Sequence, residues 1–110
     1  MTEPTPQAIF ETLPGHFLPE VAGTTKTTIA VVLTGKDGGR WWVRIADGAC
    51  EVGTGPAEGA DATLTADAAD YIQIRLGHLD PMAALMKGRL KVEGKYGHAI
   101  KFSKMFRTGA

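Results

Sequence analysis

The sequence contains little that would serve disulfide formation, membrane insertion or long-range electrostatic attraction. Its single cysteine, Cys50, cannot form an internal disulfide, which fits a reducing compartment. Lysine and arginine number 12, as do aspartate and glutamate, so no net field attracts nucleic acid or an anionic surface. No segment approaches the ~20 apolar residues of a transmembrane helix. The start, M-T-E-P-T-P, lacks the basic and apolar regions of a signal peptide. We therefore expect a soluble, cytoplasmic protein that does not bind nucleic acid.

Residues that commonly carry catalysis or bind metals are few and do not fall into recognisable patterns. His16, His78 and His98 have no metal-ligand spacing, and we expect each to face solvent. The G-K-D-G-G run at residues 35–39 lacks the P-loop pattern and precedes a strand, so it predicts a hairpin turn. Four aspartates are expected at turns and helix starts: Asp61, Asp67, Asp70 and Asp80. We therefore predict no catalytic residue, no metal site and no cofactor.

The length and the pattern of apolar residues predict one domain over residues 1–110, with residues 1–5 as a loose tail. Alternation of apolar and polar residues predicts five strands, at 26–34, 40–46, 49–53, 62–66 and 89–93. The Asp47-Gly48 pair is a strong signal for a two-residue hairpin turn.

Helices are predicted at four places: 6–16, from 68 onwards, 81–87, and from 95 to about Arg107. Pro14 lies within the first of them, so we expect that helix to be short or to end near Leu13. Asp67 and Asp80 are suited to cap the second and third, and Gly88 is suited to end the third in a left-handed conformation. Residues 18–24 contain a proline and a glycine, and we expect a connector without regular structure.

Two adjacent tryptophans in a predicted strand must point to opposite faces. One of Trp41 and Trp42 can enter the core. The other is expected to pack under the amino-terminal segment or to contact a partner or a membrane, and the pattern leaves both open. Cys50 shares a face with Val52, and we interpret it as a small buried hydrophobe rather than a reactive thiol.

The last two predicted helices are more apolar than helices that only cover a sheet, for which an apolar arc of about 100° suffices. The pattern leaves open whether the excess forms a close-packed core or a cavity for an apolar ligand, which adaptable methionine side chains would suit. If there is a cavity, the residues expected to line it are Ile72, Leu76, Met82, Leu85, Met86, Phe102, Met105 and Phe106.

Basic residues concentrate in the last third of the chain: Lys87, Arg89, Lys91, Lys95, Lys101, Lys104 and Arg107. They form either a solvated face or a positive rim that meets anionic lipid headgroups or a fatty-acid carboxylate.

Several runs resemble the sterol carrier protein family: D-G-x-x-x-V-x-x-G from Asp47, A-D-A-T-L-T from Ala60, and D-P-M-A-A-L-M-K-G-R-L-K-V-E-G from Asp80. Their order and spacing agree from about Ala8 to Phe106. Members usually carry an acidic residue where this chain has Lys95, a difference confined to a turn. The resemblance implies an α+β fold in which helices cover a five-stranded, mainly antiparallel sheet. It also implies an apolar tunnel between sheet and helices.

The resemblance further implies a non-catalytic protein that binds and transfers lipids of the sterol, fatty acid or acyl-CoA class. Its expected partners are an apolar small molecule and, transiently, an anionic membrane surface; the oligomeric state stays open. Two alternatives remain. One is a small α+β enzyme with a carboxylate in an apolar pocket. The other is an accessory lipid-binding module of a larger lipid-modifying enzyme.

Overall fold

Five strands form one sheet in the computed structural model, which describes residues 4–108. They are β1 Thr27–Thr34, β2 Gly39–Ala46, β3 Ala49–Thr54, β4 Ala62–Asp67 and β5 Leu90–Gly94. The spatial order is β3-β2-β1-β4-β5; β1 and β4 run parallel, and every other neighbouring pair is antiparallel. The predicted α+β class and mainly antiparallel sheet are therefore confirmed. Most of the predicted loose tail lies outside the described residues.

Within residues 4–108, five α-helices accompany the sheet: α1 Pro6–Thr12, α2 Pro19–Ala22, α3 Ala68–Arg75, α4 Pro81–Met86 and α5 Tyr96–Ser103. The predicted caps of α3 and α4 are confirmed. Asp67 accepts a hydrogen bond from the Ala69 amide and Asp80 accepts one from the Ala83 amide, both at 2.9 Å. These side chains satisfy amide donors that have no partner within their helices.

The expectation that Pro14 ends the first helix near Leu13 is confirmed: α1 ends at Thr12, and a 3-10 turn follows over Leu13–His16, because Pro14 has no amide hydrogen to donate. The prediction for the next segment needs a correction. The expected connector at 18–24 contains the short helix α2. Pro19 occupies its first turn, where the missing amide costs nothing, and Gly23 follows it with a φ of 57°.

The prediction that the last helix extends to about Arg107 is wrong, since α5 ends at Ser103. A turn follows at residues 104–105, and Phe106 then forms an isolated antiparallel bridge with Phe17. The Leu18 amide donates to the Met105 carbonyl at 2.7 Å, and the Arg107 amide donates to the His16 carbonyl at 2.8 Å. These bonds replace the helical ones, and we call residues 105–107 the carboxyl-terminal strap.

The core lies on one face of the sheet, between the strands and the helices. The inward-facing residues of β1 and β2 are at most 8% exposed: Ile29, Val31, Leu33, Trp41, Val43 and Ile45. Phe10 of α1 stacks between Trp41, at a ring-centroid distance of 4.8 Å, and Tyr71 of α3, at 5.4 Å. This stack ties α1 and α3 to the centre of the sheet.

The second tryptophan, Trp42, lies half-buried on the opposite face of the sheet. Its indole covers Gly53 of the neighbouring strand β3, where a Cβ atom would overlap the ring. The amino-terminal segment therefore packs on Trp41 and not on Trp42, because the two side chains leave the strand in opposite directions.

Candidate functional site

The eight residues predicted to line a cavity fall into two groups. Ile72, Phe102, Met105 and Phe106 are buried, at 0–8% exposure, whereas Leu76 and Leu85 are half-buried. Met82 and Met86 lie on the outer side of α4, 48% and 85% exposed. The structure thus brings Ile72 of α3, Phe102 of α5 and the two strap residues into the interior, and it leaves the methionines of α4 in contact with solvent.

A cavity of about 50 Å³, called the main cavity here, lies between the sheet, α3 and α5. Two predicted residues, Phe102 and Phe106, line it. The others that line it were not predicted: Leu13, Leu64, Tyr71, Ile74, Arg75, Pro81, Leu90, Ser103 and Thr108. The spacing of Tyr71, Ile74 and Arg75 (i, i+3, i+4) marks one face of a helix, a signal that the sequence did contain.

The main cavity reaches the surface between the start of α4 and the end of α5. Ser103 and Thr108 are exposed and Pro81 is half-exposed, and all three line the cavity. Its inner end is apolar, formed by Leu64 of β4 and Leu90 of β5. The site is therefore an apolar pocket with a polar mouth.

A second cavity of about 90 Å³, the side cavity, lies between α1 and α3. Ile9, Thr12 and Leu76 are among the residues that line it. Arg75 lines both cavities, and no other described residue does. Its side chain therefore stands at the boundary between the two spaces.

Arg75 is only 8% exposed. Its Nη2 donates a hydrogen bond to the Arg107 carbonyl at 2.8 Å, and its guanidinium carbon lies 5.7 Å from the centroid of the Phe106 ring. Burial lowers the pKa of Arg75, but an arginine side chain stays protonated in proteins. The two cavities are therefore bordered by a buried positive charge.

Tyr71, one helical turn before Arg75, does not neutralise this charge. The side chain is 4% exposed, and burial raises the pKa of its phenol to about 12. The phenol is therefore neutral at physiological pH. None of the ion pairs formed within residues 4–108 includes Arg75.

Asp61, Thr27 and His98 form a hydrogen-bonded chain that superficially resembles a catalytic triad. Thr27 Oγ1 donates to Asp61 at 3.2 Å, and His98 Nδ1 lies 2.9 Å from the same hydroxyl. The Asp61 carboxylate can only accept, so the hydroxyl proton points to Asp61 and His98 must be the donor. A catalytic histidine would instead remove that proton. The arrangement therefore fastens α5 to β1 and does not activate a nucleophile.

The expectation that all three histidines face solvent holds for His78, which is exposed, but not for the other two. His98 is half-buried because it bonds to Thr27, and His16 is half-buried beside the side cavity. Among residues 4–108, no group of three or more histidine, cysteine, aspartate or glutamate side chains could hold a metal ion. The Cys50 thiol packs against the core, and burial raises its pKa to about 11, which leaves it protonated and unreactive.

The seven basic residues predicted as a positive rim are all exposed, but they do not act as one set. Arg89 pairs with Asp70 at 2.9 Å and Lys95 pairs with Asp61 at 3.3 Å. Lys91 alternates with the inward-facing Leu90, so it leaves the sheet on the face opposite α5. Within the described part of the chain, no helix is long and apolar enough to cross a bilayer.

Comparison with known proteins matches both the sequence and the fold. A sequence model described as the SCP-2 sterol transfer family matches residues 10–107. Hydroxysteroid dehydrogenase-like protein 2 of Xenopus tropicalis is 32% identical over 100 residues, which cover 90% of this chain and 24% of that protein. The chain thus spans about a quarter of the length of this curated relative.

Solved structures reproduce the same fold in two settings. The stereoselective inverting sec-alkylsulfatase Pisa1 from Pseudomonas sp. superposes with a TM-score of 0.82 at 20% identity, over 97% of this chain and 17% of the sulfatase. Palmitated SCP2L2 from Aedes aegypti superposes with a TM-score of 0.74 at 17% identity, over 97% of this chain and 99% of the other. The fold therefore occurs both as a whole small protein and as part of a larger enzyme.

Proposed function

We propose that this chain, which belongs to the SCP-2 sterol transfer family, binds a lipid of the sterol, fatty acid or acyl-CoA class in the main cavity and does not act on it chemically. The observation that carries the proposal is the apolar pocket between sheet and α5, open to the surface beside Pro81 and Ser103. A family neighbour of the same size was solved in a palmitated form. The described residues offer no nucleophile and base to compete with a binding role.

The main cavity has to enlarge to hold such a ligand. Ligand pockets usually measure ~300–1,000 Å³, whereas the main and side cavities measure about 50 and 90 Å³. The elements at the mouth are the short helix α4 and the carboxyl-terminal strap, which a single bridge joins to Phe17. We propose that these two elements move outwards as the lipid enters and that Arg75 shifts with them, joining the two cavities.

Burial of the lipid tail is the main favourable term expected for binding. Transfer of ~300 Å² of apolar surface from water contributes about 7 kcal/mol before ordering costs. Before those costs are subtracted, this free energy corresponds to a dissociation constant of about 10 μM. Binding therefore requires no catalytic group, and the proposed role is transport or presentation of the lipid.

The test is a titration with saturated fatty acids of increasing chain length. Each buried methylene contributes about 0.8 kcal/mol, so we expect affinity to rise roughly fourfold per methylene until the enlarged cavity is full. Native mass spectrometry of protein purified from cells, followed by organic extraction, would identify the bound species. Protein that is purified empty and binds no fatty acid, acyl-CoA or sterol would contradict the proposal.

A second candidate role is that of an accessory module that presents lipid to an enzyme. It is favoured by the relative and the sulfatase, in which the matching part is 24% and 17% of a larger protein. Affinity purification from the native cells distinguishes this role. Reproducible recovery of a lipid-modifying enzyme would support it, and recovery of the chain alone would favour an independent carrier.

A further inference from the structure

We infer that the ligand of the main cavity carries an anionic head group and that Arg75 is the residue that selects it. This inference rests on the proposed function and makes it more specific. A cavity for neutral sterols needs no charge in its wall. The structure places a guanidinium there, 8% exposed and at the boundary between the main and side cavities.

A buried cation without an anionic partner is unfavourable, since burial removes its hydration. Arg75 receives two partial compensations, the Arg107 carbonyl at 2.8 Å and the face of the Phe106 ring. A guanidinium has five N–H donors, and only one of them has a bond within residues 4–108. The remaining donors suit a carboxylate or a sulfate, which a guanidinium binds through two parallel hydrogen bonds.

The residues around Arg75 are suited to a ligand that pairs an anionic group with its guanidinium. Tyr71 is a neutral phenol in the same wall. Leu64, Leu90 and Phe102 line the same cavity and offer apolar surface to an alkyl chain. A ligand with one anionic head and an alkyl tail would satisfy both the charge and the apolar walls.

A structural role for Arg75 makes a different prediction. If its guanidinium served only to hold the strap through the Arg107 carbonyl, its replacement would alter stability without altering the ranking of ligands. Arg75→Gln keeps an N–H donor for that carbonyl and removes the charge. Arg75→Lys keeps the charge and loses the planar fork.

The experiment compares three probes with the same alkyl chain: decanoate, decyl sulfate and decanol. We expect the parent protein to bind at least one of the anions roughly ten- to a hundred-fold more tightly than decanol, because hydrogen bonds to charged groups are strong. The tighter of the two anions would identify the head group. We expect the preference to disappear in Arg75→Gln and to survive in part in Arg75→Lys. The charge-matched control is Arg40→Gln, since Arg40 is exposed on the other face of the sheet, and it should keep the full preference.

Two further readouts separate a buried pair from general attraction to a basic surface. The preference should persist at high salt, because buried pairs are screened less than exposed ones. For decanoate with a carbon-13 carboxyl, the pKa of the bound acid should be lower in the parent than in Arg75→Gln.

The outcomes are distinct. If decanol binds the parent as tightly as both anions, or if Arg75→Gln keeps the preference, the inference is wrong and the proposed function stands. If none of the three probes binds the parent, the inference fails, and the separate titration with longer fatty acids, acyl-CoA and sterols decides the proposed function. The ranking in the parent tests the anionic head group without any variant, and Arg75→Lys tests the role of Arg75 if Arg75→Gln does not fold.

Discussion

Asp61 shows how one side chain joins three elements. Its carboxylate accepts hydrogen bonds from the Thr28 amide at 2.9 Å, from the Thr27 hydroxyl at 3.2 Å and from the Lys95 ammonium at 3.3 Å. The Thr28 amide contributes most to lowering the pKa of Asp61, with smaller contributions from Lys95 and Thr27 and an opposing one from burial. Lys95, where the resembled family usually has an acidic residue, is thus the ion-pair partner of Asp61 in this chain.

The lowered pKa predicts how stability depends on pH. Because the folded-state pKa lies below the unfolded one, the contribution of Asp61 is fully present above about pH 4 and is lost as the pH falls through the folded-state pKa. We expect Asp61→Asn to destabilise the fold by about 1–3 kcal/mol at pH 7. The difference between parent and variant should shrink towards pH 3 in chemical denaturation. A difference independent of pH would show that the charge on Asp61 is not involved.

Gly53 and Gly97 form a matched pair for testing local packing. A Cβ at Gly53 would overlap the indole of Trp42, whereas a Cβ at Gly97 in α5 meets nothing within 4 Å. We expect Gly53→Ala to destabilise the fold by about 1–3 kcal/mol and Gly97→Ala to stabilise it by about 0.5–1 kcal/mol through helix propensity. Thermal unfolding of both variants checks this. Equal effects would mean that Trp42 moves aside without cost.

Residues whose partners are close in sequence were predictable, and those with distant partners were not. The caps Asp67 and Asp80 bond within three residues of themselves, so composition and spacing were enough to find them. Arg75 donates a hydrogen bond to a carbonyl 32 positions away. The residues next to it in the sequence are typical of an ordinary helix end. The buried charge at the candidate site therefore appears only once the strap is in place.

At the level of elements, all five strands were predicted to within one residue. Alternating burial and strong turn residues are both local signals. Asp47 and Gly48 adopt φ values of 53° and 74°, as a type I′ turn requires. The end of α5 was predicted too late in the chain. The carboxyl-terminal strap forms backbone hydrogen bonds with residues 16–18, and these bonds take the place of further helical ones. A helical pattern of apolar residues could not reveal that competing interaction.

The sequence led us to expect Met82 and Met86 of α4 in the wall of the cavity, but both are exposed in the structure. A helical pattern of apolar residues does not show which side of a short helix faces the core. We expect Met86→Trp to change neither lipid affinity nor melting temperature appreciably, because Met86 is 85% exposed. Leu90→Phe is the informative variant, since Leu90 lines the main cavity. It should weaken fatty-acid binding several-fold while costing less than about 1.5 kcal/mol of stability, because the added atoms enter free space.

Thermal unfolding and a fatty-acid titration on the same two proteins check this prediction. Strong destabilisation by Leu90→Phe would mean that the wall is close-packed and cannot accept a ligand chain. Weaker binding by Met86→Trp would place the ligand against α4 instead of β5.

The molecule has a net charge of zero, but its basic residues are unevenly distributed over the surface. Among the basic residues of the last third, two are paired with carboxylates and one lies on the opposite sheet face. Lys101 and Lys104 lie within two residues of Ser103 along the chain, and Ser103 lines the mouth of the main cavity. They are the charges best placed to meet an anionic membrane while a lipid enters or leaves.

We therefore expect the double variant Lys101→Glu/Lys104→Glu to slow lipid delivery to anionic vesicles by roughly two- to tenfold at low salt, with affinity for free lipid changed less than this. The effect should vanish at high salt, because exposed charges are screened over about 10 Å at 0.1 M. Lys26→Glu/Lys36→Glu is the control: both lysines are exposed and lie outside α5, and the net charge changes equally. Stopped-flow transfer of a fluorescent fatty acid measures the rates. If both double variants slow transfer equally, net charge and not a positive rim controls delivery; if neither does, the protein releases its lipid without contacting the membrane.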